Sequence, residues 1–274
     1  MKQCIVLLDN GNTRLKVGFY LPDTTTRNDS VFTIDNQNME GLVKWFDSHN
    51  VRPESAIGVN VADNERKNSI ANWLRVKYGV NTTWIKSTKG ILNITNSYAN
   101  HESLGSDRWI SMVGLPLHKK DKKPVLLASF GTATTIDTLI PNSTGWQYLG
   151  GLIIPGITIM GTSLAQNTAH LPEAHGNITD FPDNTHTAIS TGIVSAQAGA
   201  VLRQWWKITE KHNTEPTLFC SGGALAIVND ELLQQLERAQ QLMGYKTTRP
   251  KYLRSPVLDG LARIAANNLH QKLT

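Results

Sequence analysis

Residues 9 to 16, Asp9-Asn10-Gly11-Asn12-Thr13-Arg14-Leu15-Lys16, bring a carboxylate, a glycine, a hydroxyl and two cations into one short stretch. An Asn-Gly pair alone would reverse the chain in a hairpin, so the other side chains are more than a turn needs. Gly11 lets the backbone approach a ligand closely. Asn12, Thr13 and the neighbouring backbone N–H groups can donate to phosphate oxygens. Lys16 adds positive charge. Asp9 ends the apolar run CIVLLD, and a carboxylate there suits a hydrated Mg²⁺ carried by phosphates. Together these groups read as a phosphate cradle.

A second stretch repeats the pattern. In PVLLASFGTATTIDTLI, setting Gly131 on Gly11 places Leu127 on Leu7, Ser129 on Asp9 and Thr132 on Asn12. Each copy is an apolar strand, a small polar turn with glycine, and a second apolar strand, which suggests an internal duplication. Between the copies lies GSDRW. Asp107 there has two readings: a helix N-cap, or the proton acceptor for a hydroxyl attacking phosphorus. Arg108 beside it can pair with a carboxylate or a phosphate. His101 reads as a solvent-facing loop residue, and His170, His175 and His186 lack metal-ligand spacing. Trp205 and Trp206 read as packing residues.

Elements must position these groups. Strands are expected over 3–8, 15–20, 30–35, 55–62 and NTTWIK, with helices over MEGLVKWFDSH and NERKNSIANWLRVKYG, the latter ending at Gly79 as C-cap. A loop, TNSYANHESLGSDR, leads into a helix over about 106–118. After the second hairpin come YLGGLIIPG, a long helix over about 185–210, a strand TLFCSGG and a final helix over about 256–270. The order predicts an α/β fold of two similar domains, 1–119 and 120–274, each a mixed sheet flanked by helices, with a cleft between them.

Composition narrows the class. The chain has 274 residues, 40% hydrophobic and 18% charged, ordinary for a globular protein. No apolar run approaches the roughly 20 residues that span a bilayer, and CIVLLD is too short for a secretory signal. The expectation is a cytoplasmic protein with no membrane partner. The formal charge of +5 gathers in HKKDKK and KTTRPKYLR. Without an aromatic-interleaved module or a helix-turn-helix pattern, these read as solvated faces, with no nucleic-acid partner. Cys4 and Cys220 each sit in apolar runs and read as buried, reduced thiols.

DNGNTRLK, GSDRW, FGTATTID, GGLIIPG, NTHTAISTG and SGGA occur in one order along residues 9 to 224. That order resembles the type III pantothenate kinases, which include proteins named Bvg accessory factors. The terminal PVLDGLARIA resembles the family's last helix. The resemblance implies two ribonuclease H-like domains of the acetate and sugar kinase/Hsp70/actin superfamily. It implies transfer of the γ-phosphate of ATP to pantothenate, the first step of coenzyme A synthesis, by a homodimer. It gives residues 9 to 16 and Thr132 to the ATP phosphates, Gly222 and Gly223 to the side of the nucleotide base, and Asp9 to Mg²⁺ through water. Gly105, Ser106, Asp107 and Arg108 form its pantothenate motif, with Asp107 as catalytic base. Tyr98 and Thr185 would also contact pantothenate. The usual pattern has an Asp two positions before the glycine of GTA, assigned to a monovalent cation such as K⁺ or NH₄⁺. Ser129 stands there in this chain. Two other readings compete: a nucleotide-binding regulatory protein without kinase activity, which has no need of Asp107, and another small-molecule kinase of the superfamily, which leaves GSDR unexplained.

Overall fold

The opening apolar run forms β1 (Lys2–Asn10), paired antiparallel with β2 (Leu15–Tyr20). The chain continues through β3 (Phe32–Ile34), α1 (Glu40–Ser48), β4 (Val51–Asn60), α2 (Asn64–Tyr78), β5 (Thr82–Trp84), a short hairpin of β6 (Gly90–Ile91) and β7 (Ile94–Asn96), and α3 (Ser106–Gly114). The second half holds β8 (Val125–Phe130), β9 (Ala133–Pro141), β10 (Trp146–Pro155), α4 (Ile157–Asn167), α5 (Thr185–His212), β11 (Thr217–Ser221), α6 (Leu225–Leu242), β12 (Lys251–Tyr252) and α7 (Pro256–Leu273). This computed structural model describes residues 1–24, 27–34, 39–173 and 176–273. His175 and Asp35, the end of the third expected strand, lie outside the described residues.

The chain divides into two units, residues 1–120 with 255–274, and residues 121–254. The expected division after residue 119 therefore needs a correction. The last helix returns to the first unit, because α7 packs on α3, β1 and β2. The duplication seen in the two hairpins extends to whole sheets. The first runs β3-β2-β1-β4-β5, antiparallel on the hairpin side and parallel beyond β1. In the second unit β10-β9-β8-β11-β12 follow one another in the same pattern of directions.

Period-2 alternation explains how the first sheet is covered. Cys4, Val6 and Leu8 of β1 join Leu42 and Phe46 of α1 and Ile70 and Leu74 of α2 in one core. The other face meets α7, where Leu258 lies against Gly18. The second core joins Leu126, Ala128 and Phe130 of β8 to Val201 and Trp205 of α5 and Leu232 and Leu236 of α6. Burial pushes the Cys4 and Cys220 thiols up to about 12, so both are unreactive near neutral pH.

Several ends differ from expectation. The helix expected over 106–118 is α-helical only to Gly114 and tightens to a 3₁₀ turn over Leu115–His118, where Pro116 lacks the N–H that a continuing helix requires. Helix α2 ends as expected, with Gly79 at φ 72°. Helices α4 and α6 and the β6–β7 hairpin are additions.

Candidate active site

The β1–β2 register sets Asp9 opposite Lys16, and opposed residues on paired strands share a face. Lys16 Nζ lies 3.7 Å from Asp9 Oδ2. Asp9 has the parity of Ile5 and Leu7, on the face covered by α7 rather than by α1 and α2. Its carboxyl is pushed up to about 6, first by burial and then by the neighbouring Asp107, with Lys16 pulling in the opposite direction. A buried carboxylate so disfavoured gains from a cation. No group of three or more His, Cys, Asp or Glu among the described residues could hold a metal. An ion at Asp9 would therefore complete its shell with phosphate oxygens and water.

The turn after β1 closes through Gly11 N donating to Arg14 O at 3.1 Å. Asn12, Thr13 and Arg14 are exposed, as a ligand loop requires, whereas Leu15 is buried in the first core. Asn10 differs from the loop reading. It is fully buried, and its side chain turns away from the loop to Asn60. Sequence reading also passes over Arg66. Its Nη1 donates to the carbonyls of Gly11 and Asn12, each at 3.3 Å, which turns those acceptors toward α2. Asp63 caps that helix by accepting from Arg66 N at 2.7 Å. Arg66 sits in the first turn of a helix that follows β4, 55 residues beyond Gly11 of the loop it holds, so no local signal singles it out.

Asp107 and Arg108 open α3. The N-cap is Gly105, with no side-chain cap bond, so the cap reading of Asp107 does not hold. Its Oδ1 instead accepts from Arg108 N at 2.8 Å. Arg108 is 6% exposed and donates through Nη1 to Tyr98 Oη at 3.0 Å. The GSDR motif and Tyr98 thus share one place. Helix α3 is held by α7 at very close range: a Cβ on Gly260 would meet Ile110 O at 1.9 Å, and one on Gly114 would meet Gly260 N at 2.7 Å.

In the second unit the turn after β8 is walled by glycines. Gly156 N donates to Thr132 O at 3.0 Å, and a Cβ on Gly156 would lie 2.2 Å from Gly131 O. Gly222 has φ 104°, and a Cβ there would lie 2.2 Å from Phe130 O. Gly223 has open space around it. Ser129 pairs with Thr135 on one side and Ser221 on the other, so hydroxyls surround the position matched to Asp9. An acid of the same parity on β9, Asp137, is buried and accepts from Tyr148 Oη at 2.7 Å. This donor set does not fit a cation site built on a carboxylate. Thr185 is the first residue of α5, after the cap Asn184, and lines a cleft of about 690 Å³ with Met160, Leu164, Ile189 and Ile193.

Residues 5–207 match the family described as type III pantothenate kinase. The chain is 41% identical to the type III pantothenate kinase of Bordetella bronchiseptica over 269 residues, covering 96% of this chain and 98% of that protein. It is 40% identical to that of Bordetella petrii over 270 residues, covering 98% and 100%.

The chain belongs to the type III pantothenate kinase family.

Solved structures agree on the fold. A conserved Baf family protein from Campylobacter jejuni matches with TM-score 0.55 at 17% identity, covering 97% of this chain and 99% of that one. A glucokinase from an Antarctic psychrotroph matches with TM-score 0.52 at 10% identity, covering 96% and 99%. The family match includes both hairpins, α3 and the start of α5, while Gly222 and Gly223 lie beyond it. Among the described residues no helix is long and apolar enough to cross a membrane.

Proposed function

We propose that this chain transfers the γ-phosphate of ATP to the primary hydroxyl of pantothenate, making 4'-phosphopantothenate for coenzyme A synthesis. The observation that carries the reading is the placing of two carboxylates on joined elements, Asp9 at the end of β1 beside the phosphate loop and Asp107 in the first turn of α3, with β1 tied to α3 through Asn10, Asn60 and Ser106. A carboxylate for the nucleotide and one for the acceptor alcohol are what phosphoryl transfer to a hydroxyl requires.

The backbone of residues 11 to 14, with Asn12, Thr13, Arg14 and Lys16, binds phosphate oxygens, and Arg66 holds the loop carbonyls away from them. Thr132, Gly222 and Gly223 serve ATP in the second unit. Asp9 would hold, through water, a magnesium ion arriving with ATP, which would supply charge neutralisation. Asp107 takes the proton of the attacking hydroxyl as the new O–P bond forms and the bond to the leaving ADP breaks. Arg108 pairs with the pantothenate carboxylate, steadied by Tyr98, while Gly105, Ser106 and Thr185 orient the rest. The enzyme works as a cytoplasmic homodimer. Because Ser129 and its neighbours are hydroxyls, no step is assigned to K⁺ or NH₄⁺.

The test is mass spectrometry of products with ATP, Mg²⁺ and pantothenate, alongside ADP release over a panel of alcohols. A mass gain of one phosphoryl group on pantothenate is expected. Absence of that product at high enzyme, or preference for another alcohol, overturns the assignment.

A further inference from the structure

Asn10 and Asn60 end two parallel strands as register partners, after the apolar runs Ile5–Leu8 and Ala56–Val59, with Asp9 as the one charged residue next to them. Asn10 Nδ2 donates to Asn60 Oδ1 at 2.5 Å, and Asn60 Nδ2 donates to Ala62 O at 2.8 Å. The second bond fixes the polarity of the first. A backbone carbonyl accepts only, so Asn60 must turn its amide nitrogen to Ala62 and its oxygen to Asn10. Asn10 must then offer its nitrogen, which leaves its own Oδ1 buried and without a donor among the described residues. Such a group is costly, and two aliphatic residues would join these strands without it. The backbone adds two ties. Val61 N donates to Asn10 O at 3.0 Å, and Ser106 Oγ donates to Asn60 O at 3.4 Å.

These bonds lie between the two carboxylates of the proposed reaction. Asp9 precedes Asn10 on β1 and points to the opposite face, so fixing Asn10 fixes the direction of Asp9. Asp107 follows Ser106 on α3. We propose that Asn60 is a positioning residue for phosphoryl transfer, joining the end of β1, and so Asp9, to the start of α3, and so Asp107. The proposal rests on the kinase reading above. Asn60 touches neither substrate; its effect falls on the alignment of the two acids, where misplacement of about 1 Å can cost on the order of 100-fold in rate.

The test compares Asn60→Ala, Asn60→Leu, Asn60→Asp, Asn10→Leu and the double variant Asn10→Leu/Asn60→Leu as full chains, each checked for folding by circular dichroism and thermal melting. Asn60→Ala and Asn60→Leu should lower kcat by about 10- to 100-fold and leave KM for ATP and for pantothenate within about threefold. Asn60→Asp keeps the shape and the acceptor for Asn10 and gives up the donor to Ala62 O, so it should retain more of kcat than Asn60→Leu, which loses both. The double variant should lose no more than the larger single loss, because the two amides act as one unit. Folded Asn60 variants with kcat within twofold of wild type overturn the proposal. So do equal losses in Asn60→Asp and Asn60→Leu, or single losses that multiply in the double. If Asn60→Ala does not fold, the comparison of Asn60→Asp with Asn60→Leu decides. A wild type that fails to phosphorylate pantothenate overturns the kinase reading and this proposal together, whereas a working wild type with unaffected variants overturns this proposal alone.

Discussion

Lys16 Nζ and Asp9 Oδ2 stand 3.7 Å apart on facing residues of one hairpin, within the influence of Asp107. One acid thus feels opposing neighbours, and the signs of their effects can be separated. In nucleotide-free protein Asp9 should titrate near 6. Lys16→Met removes the cation and should raise that value; Asp107→Asn removes the like charge and should lower it. Carboxyl NMR of the three proteins reads both directions, and a shift of the same sign in both variants would refute the arrangement. The linkage sign follows. Folded Asp9 holds its proton more tightly than unfolded Asp9, so its contribution to stability is largest at acid pH. It declines as pH rises from about 4 to about 6 and is flat beyond. Asp9→Asn should remove that decline, measured as urea unfolding free energy against pH.

Asp107→Asn should lower kcat by about 10²- to 10⁴-fold, the usual weight of a general base, with ADP binding by calorimetry kept within a few-fold. Gly105 rather than Asp107 caps α3, so the thermal midpoint should move little. A variant with near wild-type turnover would leave Asp107 no role in proton transfer.

Arg108 reaches Tyr98 Oη at 3.0 Å and is almost wholly buried. A guanidinium in that setting needs its fork, which an ammonium cannot reproduce. Arg108→Lys should raise KM for pantothenate about tenfold or more, the worth of a lost charge-assisted bond, with KM for ATP near wild type. Tyr98→Phe should act in the same direction and less. Equal rises in both Michaelis constants would place Arg108 elsewhere in the reaction.

The hairpins were legible because period-2 apolar runs flanking an Asn-Gly or Gly-Thr turn are local signals. Their duplication followed from Gly11 and Gly131, and the matching strand orders extend it to both sheets. What stayed hidden is non-local. That α7 belongs with residues 1–120 depends on contacts across much of the chain, such as Gly260 against Ile110, and no stretch near residue 260 reports them. Asn10 shows the same limit at the site. By type and place it reads as a loop donor, but strand pairing with β4 turns its amide inward to Asn60. Helix α4 was missed because no residue of it is buried within the second unit, so its apolar positions carry no clear one-sided pattern.

The α3–α7 crossing gives a stability prediction. A methyl on Gly260 would collide with the carbonyl of Ile110, which is backbone and cannot swing aside. Gly260→Ala should cost about 1–3 kcal/mol through forced separation of the helices. Because α3 carries Asp107 and Arg108, kcat should fall as well in whatever fraction folds. Gly199→Ala is the control: it lies on helix α5, and its added Cβ meets nothing within 4 Å. It should be neutral to slightly stabilising, since alanine favours helix over glycine by up to about 1 kcal/mol. Similar melting midpoints for both variants would remove the close crossing as an explanation of the glycines.

The response to monovalent cations is expected to depend on Ser129. Its register neighbours are Thr135 and Ser221, so a K⁺ ion there would meet dipoles and no full negative charge. The acid two pairs along β9, Asp137, is buried and engaged by Tyr148, and turning it to position 129 would break that bond. Hydroxyls are weaker partners for a cation than a carboxylate, which brings full charge. Wild-type activity should therefore respond weakly to K⁺ or NH₄⁺, or only at high concentration. Ser129→Asp should introduce, or shift to lower concentration, a K⁺ activation curve. Initial rates against K⁺ at constant ionic strength, with choline as replacement, give the comparison, and constant ionic strength is needed because exposed charges are screened over about 10 Å at 0.1 M. A wild type that saturates at low K⁺, with the same curve in Ser129→Asp, would mean that the cation is held by groups other than residue 129, the backbone carbonyls of the glycine-walled turn being the nearest candidates.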